Sequence, residues 1–312
     1  LSIECGCGRR DFIRLTIGSS LAAFAPLSLA LQETRTSRAT RMILLWMAGA
    51  PSQLETLDPK PGCGKFQAID TEVSGVRISE HLPKVARRMK KISLVRTVHS
   101  KDPNHDTATY LLHTGYRKAP DTSHPHFASV LANELGGRGD LPGCVVIGGS
   151  PPAGSSYLDS ESGPVVFDKL ENPAEDVKLA KGVSRERLEK RWKLLREFES
   201  PFVRNHESTA LQERTRAYER AYRVLTSKRV SAFDVAQESD AVRAKYGRTP
   251  FGDACVIARR LLEADVRFVE VMLADWDTHT DNFNRHEKLL QTLDPAWSAL
   301  VGELSDRRML DE

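Results

Sequence analysis

From Met42 to Ala48 the chain reads Met-Ile-Leu-Leu-Trp-Met-Ala, an unbroken apolar run that ends at Gly49-Ala50-Pro51-Ser52. A run of this kind bounded by turn residues predicts a strand buried on both faces, and such strands belong to parallel sheets. Between Ser79 and Lys91 the apolar positions Leu82, Val85 and Met89 recur at helical spacing, and Ile92 to Thr97 then reads as a second strand. The rhythm continues with a helix near Thr107 to His113, a helix near Phe127 to Leu135 and a strand at Cys144 to Ile147. Further on come a helix from Gly252 to Ala264, a strand from Arg267 to Leu273, and two helices around Asn282 to Leu290 and Asp294 to Arg308. Alternation of strand and helix predicts an α/β fold, a mostly parallel central sheet with helices packed on it.

One stretch breaks the rhythm. From about Asp168 to Arg243 charged residues dominate, while Leu188, Trp192 and Leu195, then Tyr218, Tyr222 and Leu225, repeat the i, i+4, i+7 spacing. The pattern predicts a charged helical insertion over about 168–243, its aromatic stripes serving as packing surface. Overall, 40% hydrophobic and 28% charged residues support a real core and exclude a disordered or collagen-like chain. Lys and Arg number 45 against 42 Asp and Glu, a balance of +3 with no long basic run, which gives no electrostatic ground for a nucleic-acid partner.

The N-terminus carries an address. Arg9-Arg10-Asp11-Phe12-Ile13-Arg14-Leu15 precedes an apolar, small-residue stretch from Thr16 to Leu31 with a small-x-small site at Ser28-Leu29-Ala30. This resembles a twin-arginine export signal over residues 1–30, too short and interrupted for a transmembrane span, and it predicts a periplasmic or extracellular protein. Cleavage after Ala30 would remove Cys5 and Cys7 and leave Cys63, Cys144 and Cys255, whose wide spacing fixes no disulfide and no zinc motif. Cys255 sits in the helix-like stripe Cys-Val-Ile-Ala-Arg-Arg-Leu-Leu and reads as core.

In α/β sheets ligands gather at the carboxyl ends of strands, so the chemistry is expected in three loops. The first holds Ser52, Glu55 and Asp58; the second His99, Asp102, Asn104, His105 and Asp106; the third Asp275, Asp277, His279 and Asp281. Carboxylates and imidazoles from separate loops can converge on zinc, manganese or iron. Each residue also has an ordinary role open to it: Glu55 and Asp58 as turn caps before Pro59, His99 and His105 as solvated loop histidines, Asp281 as the cap of the helix near Asn282.

The segments Met-Ala-Gly-Ala-Pro-Ser-Gln-Leu-Glu-Thr-Leu-Asp-Pro-Lys-Pro-Gly (47 to 62), Asn-His-Asp (104 to 106) with Leu-Leu-His-Thr-Gly-Tyr (111 to 116), Tyr-Gly-Arg-Thr-Pro-Phe-Gly (246 to 252) with Ala-Arg-Arg-Leu (258 to 261), and Trp-Asp-Thr-His (276 to 279) with Asn282-Phe283 together resemble the domain of unknown function 1501 family. That resemblance implies exported bacterial proteins of the alkaline phosphatase/sulfatase-like superfamily: a three-layer α/β sandwich, here over residues 41–312 and including the insertion. It implies that His105, nine positions before Thr114, occupies the place of the superfamily's nucleophile, and that Glu55, His105, Asp277 and His279 bind one or two divalent metals, zinc or manganese. Asp275 stands where the family usually has glycine, and Trp276 either packs beneath the site or lines it. The sulfatase pattern Cys-x-Pro-x-Arg is absent, which argues against formylglycine chemistry. Family members continue into a further strand and ligand-bearing loops, so the resemblance also implies that the chain is C-terminally truncated at Glu312.

Two classes of function follow. One is an exported metal-dependent hydrolase of phosphate or sulfate esters, acting on a small-molecule or carbohydrate ester, with His105 in the catalytic position. The other is a protein that keeps the fold and binds without turnover, or an inactive fragment, since an imidazole replaces the superfamily's oxygen nucleophile.

Overall fold

The computed structural model describes residues 39–136, 139–205 and 208–310. The export signal expected at residues 1–30 lies outside them. In chain order the elements are β1 (Met42–Met47), a ribbon of β2 (Ala68–Asp70) and β3 (Arg77–Ser79), α1 (Pro83–Ala86), α2 (His105–Thr114), α3 (Phe127–Leu135), β4 (Cys144–Ile147), β5 (Val165–Phe167), α4 (Pro173–Asp176), α5 (Arg185–Asn205), α6 (Thr209–Thr226), α7 (Asp240–Lys245), α8 (Pro250–Glu263), β6 (Phe268–Leu273) and α9 (Asn282–Asp306), with short 3₁₀ turns between some of them.

The main sheet has four strands in the order β1-β6-β4-β5, and every neighbouring pair is parallel. Its period of two sorts side chains to two faces. Ile43, Leu45, Val145, Ile147, Val269 and Val271 enter the larger core, which α8 and α9 cover with Ile257, Leu261, Leu290 and Leu300. Leu44, Cys144 and Phe268 enter a smaller core with Ala128 and Ala132 of α3. Helices on both faces make the α/β sandwich that the strand and helix pattern predicts.

Three expected elements differ. Ile92 to Thr97 pairs with no strand among the described residues: Ile92 and Leu94 pack on the core, Val95 is 71% exposed, and Arg96 donates its guanidinium to the carbonyls of Leu57 and Arg77. Ser79 to Lys91 is not one helix but the end of β3, the single turn α1 and a 3₁₀ turn at Met89–Lys91. The last two helices are one, α9, which runs through Pro295. Asp294 just before that proline is buried and accepts from the amides of Lys84 (3.0 Å) and Val85 (2.8 Å), so it caps α1 instead of starting a helix of its own. Burial pushes its carboxyl above the usual range against those two amides.

The charged stretch forms α5 and α6, with Trp192 stacked on Tyr222 at 4.9 Å between ring centroids. Cys255 is wholly buried and Cys144 likewise, its thiol pushed up by burial to about 12; Cys63 is exposed, and all three are free. Among the described residues, no helix is long and apolar enough to cross a membrane.

Candidate metal centre

The loops leaving β1 and β6 are joined at their backbones. Ala48 donates to Leu273 (2.9 Å) and accepts from Trp276 (3.1 Å), which brings Gly49 against the Asp277 backbone. Gly49 has φ +113°, and a Cβ there would collide with the Asp277 amide nitrogen and lie 2.9 Å from the Trp276 carbonyl carbon, so only glycine fits this crossing. Asp275 has φ +71°, the left-handed region that favours glycine and tolerates aspartate, which accounts for an acid at this position.

On the other side α2 begins at His105. Asn104 caps it, its side-chain Oδ1 accepting from the amides of Asp106 (2.9 Å) and Thr107 (3.2 Å). Asp102 braces the turn by accepting from Thr107 Oγ1 (2.7 Å) and the Asn104 amide (3.1 Å), bonds that hold its carboxyl below the usual value.

His105, Asp277 and His279 meet here. His105 Nε2 lies 3.4 Å from Asp277 Oδ2, and His279 Nε2 lies 2.9 Å from Asp277 Oδ1. One ligand atom from each falls within 4.8 Å of the others, and all three residues are exposed. Two imidazole nitrogens and a carboxylate are a donor set suited to zinc, manganese or iron, and exposure leaves further coordination positions open to water or substrate.

Glu55, the fourth residue expected to bind metal, does not join this group. It is buried, its Oε2 accepts from Ser52 Oγ, and its Oε1 lies against Gly64, where a Cβ would come within 2.8 Å. Asp58 is paired with Lys60 (2.8 Å) and Arg96 (3.3 Å). His99 reaches only the Thr97 carbonyl, at 3.3 Å. Asp281 precedes α9 but makes no cap bond, accepting instead from Asn284 Nδ2 at 2.6 Å. Trp276 is buried, edge-on to His286, and so packs beneath the site. His286 fixes the first loop, accepting from the Ser52 amide at 3.0 Å on Nε2 while Nδ1–H donates to the Asn282 carbonyl at 3.0 Å.

A second cluster of the same composition was not anticipated. His113, His126 and Glu270 are wholly buried, on α2, just before α3 and on β6, and their ligand atoms also lie within 4.8 Å of one another. The available signal was Glu270 itself, a lone acid inside Phe-Val-Glu-Val-Met-Leu: a carboxylate in a strand buried on both faces requires partners.

The family model described as Protein of unknown function (DUF1501) matches residues 39–312. The chain belongs to that family. No curated protein and no solved structure matches it. In this DUF1501 protein the matched span contains the whole described sheet, both histidine clusters and the charged helices.

Proposed function

We propose that this is an exported protein that binds a divalent cation on His105, Asp277 and His279 and uses it to hydrolyse a phosphate or sulfate ester. The observation that carries it is the convergence of the three residues from α2 and the β6 loop at the carboxyl end of the sheet. A cation bound there would polarise an ester oxygen and lower the pKa of water. The chain's own part is to hold the ligands. Asp277 stands between the two imidazoles, one Nε2 near each of its oxygens, and Gly49 admits the Asp277 backbone close to β1. The imidazole of His105, at the start of α2, is half-exposed, which leaves it accessible to an anionic ester.

The test is titration of the metal-stripped protein with Zn²⁺ and Mn²⁺ by calorimetry, then assay of aryl phosphates, phosphodiesters and aryl sulfates. Stoichiometric binding and turnover, both lost in Asp277→Ala, support the hydrolase. The imidazole at position 105 favours a second reading, a binding protein without turnover: metal and ester bound, with no hydrolysis across the panel, would replace the first reading with this one. Absence of metal binding in the wild-type protein would overturn both. Export is tested by cell fractionation, with Arg9→Lys and Arg10→Lys together expected to retain the protein in the cytoplasm.

A further inference from the structure

The buried cluster presents a hydrogen-bond problem with one solution. His113 Nδ1 lies 2.8 Å from the Thr109 carbonyl, which can only accept, so Nδ1 carries a proton. In a neutral ring that leaves a lone pair on Nε2, and Nε2 faces Glu270 Oε1 at 3.1 Å. Two acceptors at that distance in a dry interior repel unless a positive charge lies between them. His126 has the opposite tautomer: its Nδ1 accepts from the Ala128 amide at 3.0 Å, so Nε2 carries the proton and points toward Glu270 Oε2 at 3.3 Å, off the hydrogen-bonding direction. A nitrogen that carries a proton cannot ligate metal, which excludes a three-ligand metal site of this geometry. What fits between His113 and Glu270 is one shared proton.

The three residues tie together the elements that carry the exposed centre. His113 is on α2, whose first residue is His105, eight residues or about 12 Å away along the helix. Glu270 is on β6, and Asp277 follows four residues beyond Leu273, the last residue of that strand. His126 Nδ1 caps α3 at the same point. The His113 ring also packs edge-on against Trp46 of β1, 4.3 Å between centroids.

We infer that His113, Glu270 and His126 are positioning residues, a buried proton-sharing clasp that fixes α2 against β6 and so sets His105 opposite Asp277, an inference that rests on the reading of His105, Asp277 and His279 as a metal centre. The clasp makes a distinctive claim about amide chemistry. In Glu270→Gln the side-chain NH₂ can donate to the His113 Nε2 lone pair while its oxygen accepts from His126 Nε2–H, so every group is satisfied without the extra proton. In Glu270→Leu the Nε2 of each imidazole faces an apolar side chain, while the Nδ1 bonds to Thr109 and Ala128 remain.

The experiment uses the full chain. Mn²⁺ affinity is measured by calorimetry and amide hydrogen exchange of α2 by mass spectrometry for wild type, Glu270→Gln and Glu270→Leu, with Val145→Ala as a control in the opposite core. Support is an affinity within about twofold of wild type for the glutamine variant and a loss of about tenfold or more for the leucine variant, with faster exchange across Thr109 to Thr114 in the latter alone. Should Glu270→Leu not fold, His113→Phe keeps the ring against Trp46 and removes the nitrogens, and the same losses are expected of it. Equal losses in Val145→Ala would reduce the clasp to general stability and overturn the inference. So would loss of a tightly held metal in Glu270→Gln, because the cluster would then be a metal site after all. If wild type binds no Mn²⁺ but the exchange pattern holds, the metal centre fails and the clasp stands; if Mn²⁺ binds and the exchange pattern is absent, the clasp alone fails.

Discussion

Two imidazoles and a carboxylate occur twice in this protein, and burial makes them different objects. At the exposed centre His105 and His279 flank Asp277 with side chains about half exposed or more, so water and salt screen these contacts and each contributes little to folding. In the clasp His113 and His126 flank Glu270 with no exposure at all. Burial alone would drive the Glu270 carboxyl upward; the His113 hydrogen bond and the nearby His126 Nε2–H together outweigh it and hold the carboxyl below its ordinary value. The same donor set is therefore available for ligand exchange in one place and committed to holding the fold in the other. Near-identical spacing of donor atoms does not identify a metal centre until each nitrogen's other hydrogen bond has been counted.

Breaking the buried side should have the largest effect on stability. Glu270→Leu is expected to cost about 3 kcal/mol, because removing one member of a desolvated cluster leaves its partners unsatisfied. Urea denaturation measures this, and a loss under about 1 kcal/mol would show that the imidazoles find other partners. Gly49→Ala comes next: the positive φ and the collision with Asp277 predict a loss of about 1–3 kcal/mol together with weaker Mn²⁺ binding, since the ligand's own backbone must move. An alanine variant with wild-type affinity would show that Asp277 is placed by other contacts.

A pH series sharpens the contrast further. Because the Glu270 carboxyl is lowered on folding, its contribution is fully present above 4.5, the ordinary value for a glutamate, and is lost as the pH falls through the lower folded value. Thermal midpoints of wild type should therefore fall relative to Glu270→Gln below that pH; parallel curves from pH 6 to pH 3 would contradict the assignment. The smallest stability effect belongs to the exposed side. Asp277→Asn should shift stability by no more than about 0.5 kcal/mol while removing metal binding, the reverse of what Glu270→Leu does first.

Periodicity and residue type alone determined the architecture. The apolar runs at Met42, Cys144 and Arg267 and the helical stripes at Phe127 and Gly252 all correspond to elements whose ends coincide with the expected ones or shift by one or two residues, because a short buried apolar run suits a strand and a 3.6-residue stripe a helix. Residue type and loop position placed His105, Asp277 and His279 among the candidates of three loops, and only the family resemblance singled them out. Tertiary structure decided the rest. Ile92 to Thr97 has a strand's composition but no ladder partner among the described residues, and α9 continues through Pro295 while the Asp294 side chain caps α1, a contact across some 210 residues that no local pattern encodes. Glu55 stands apart from the cluster of His105, Asp277 and His279, its carboxylate turned inward onto Ser52. The clasp was hidden for the same reason: the hydrogen-bond partners that settle the state of His113 and His126 come from Thr109, Ala128 and Glu270, and only folding brings a strand's buried acid to two helices' imidazoles.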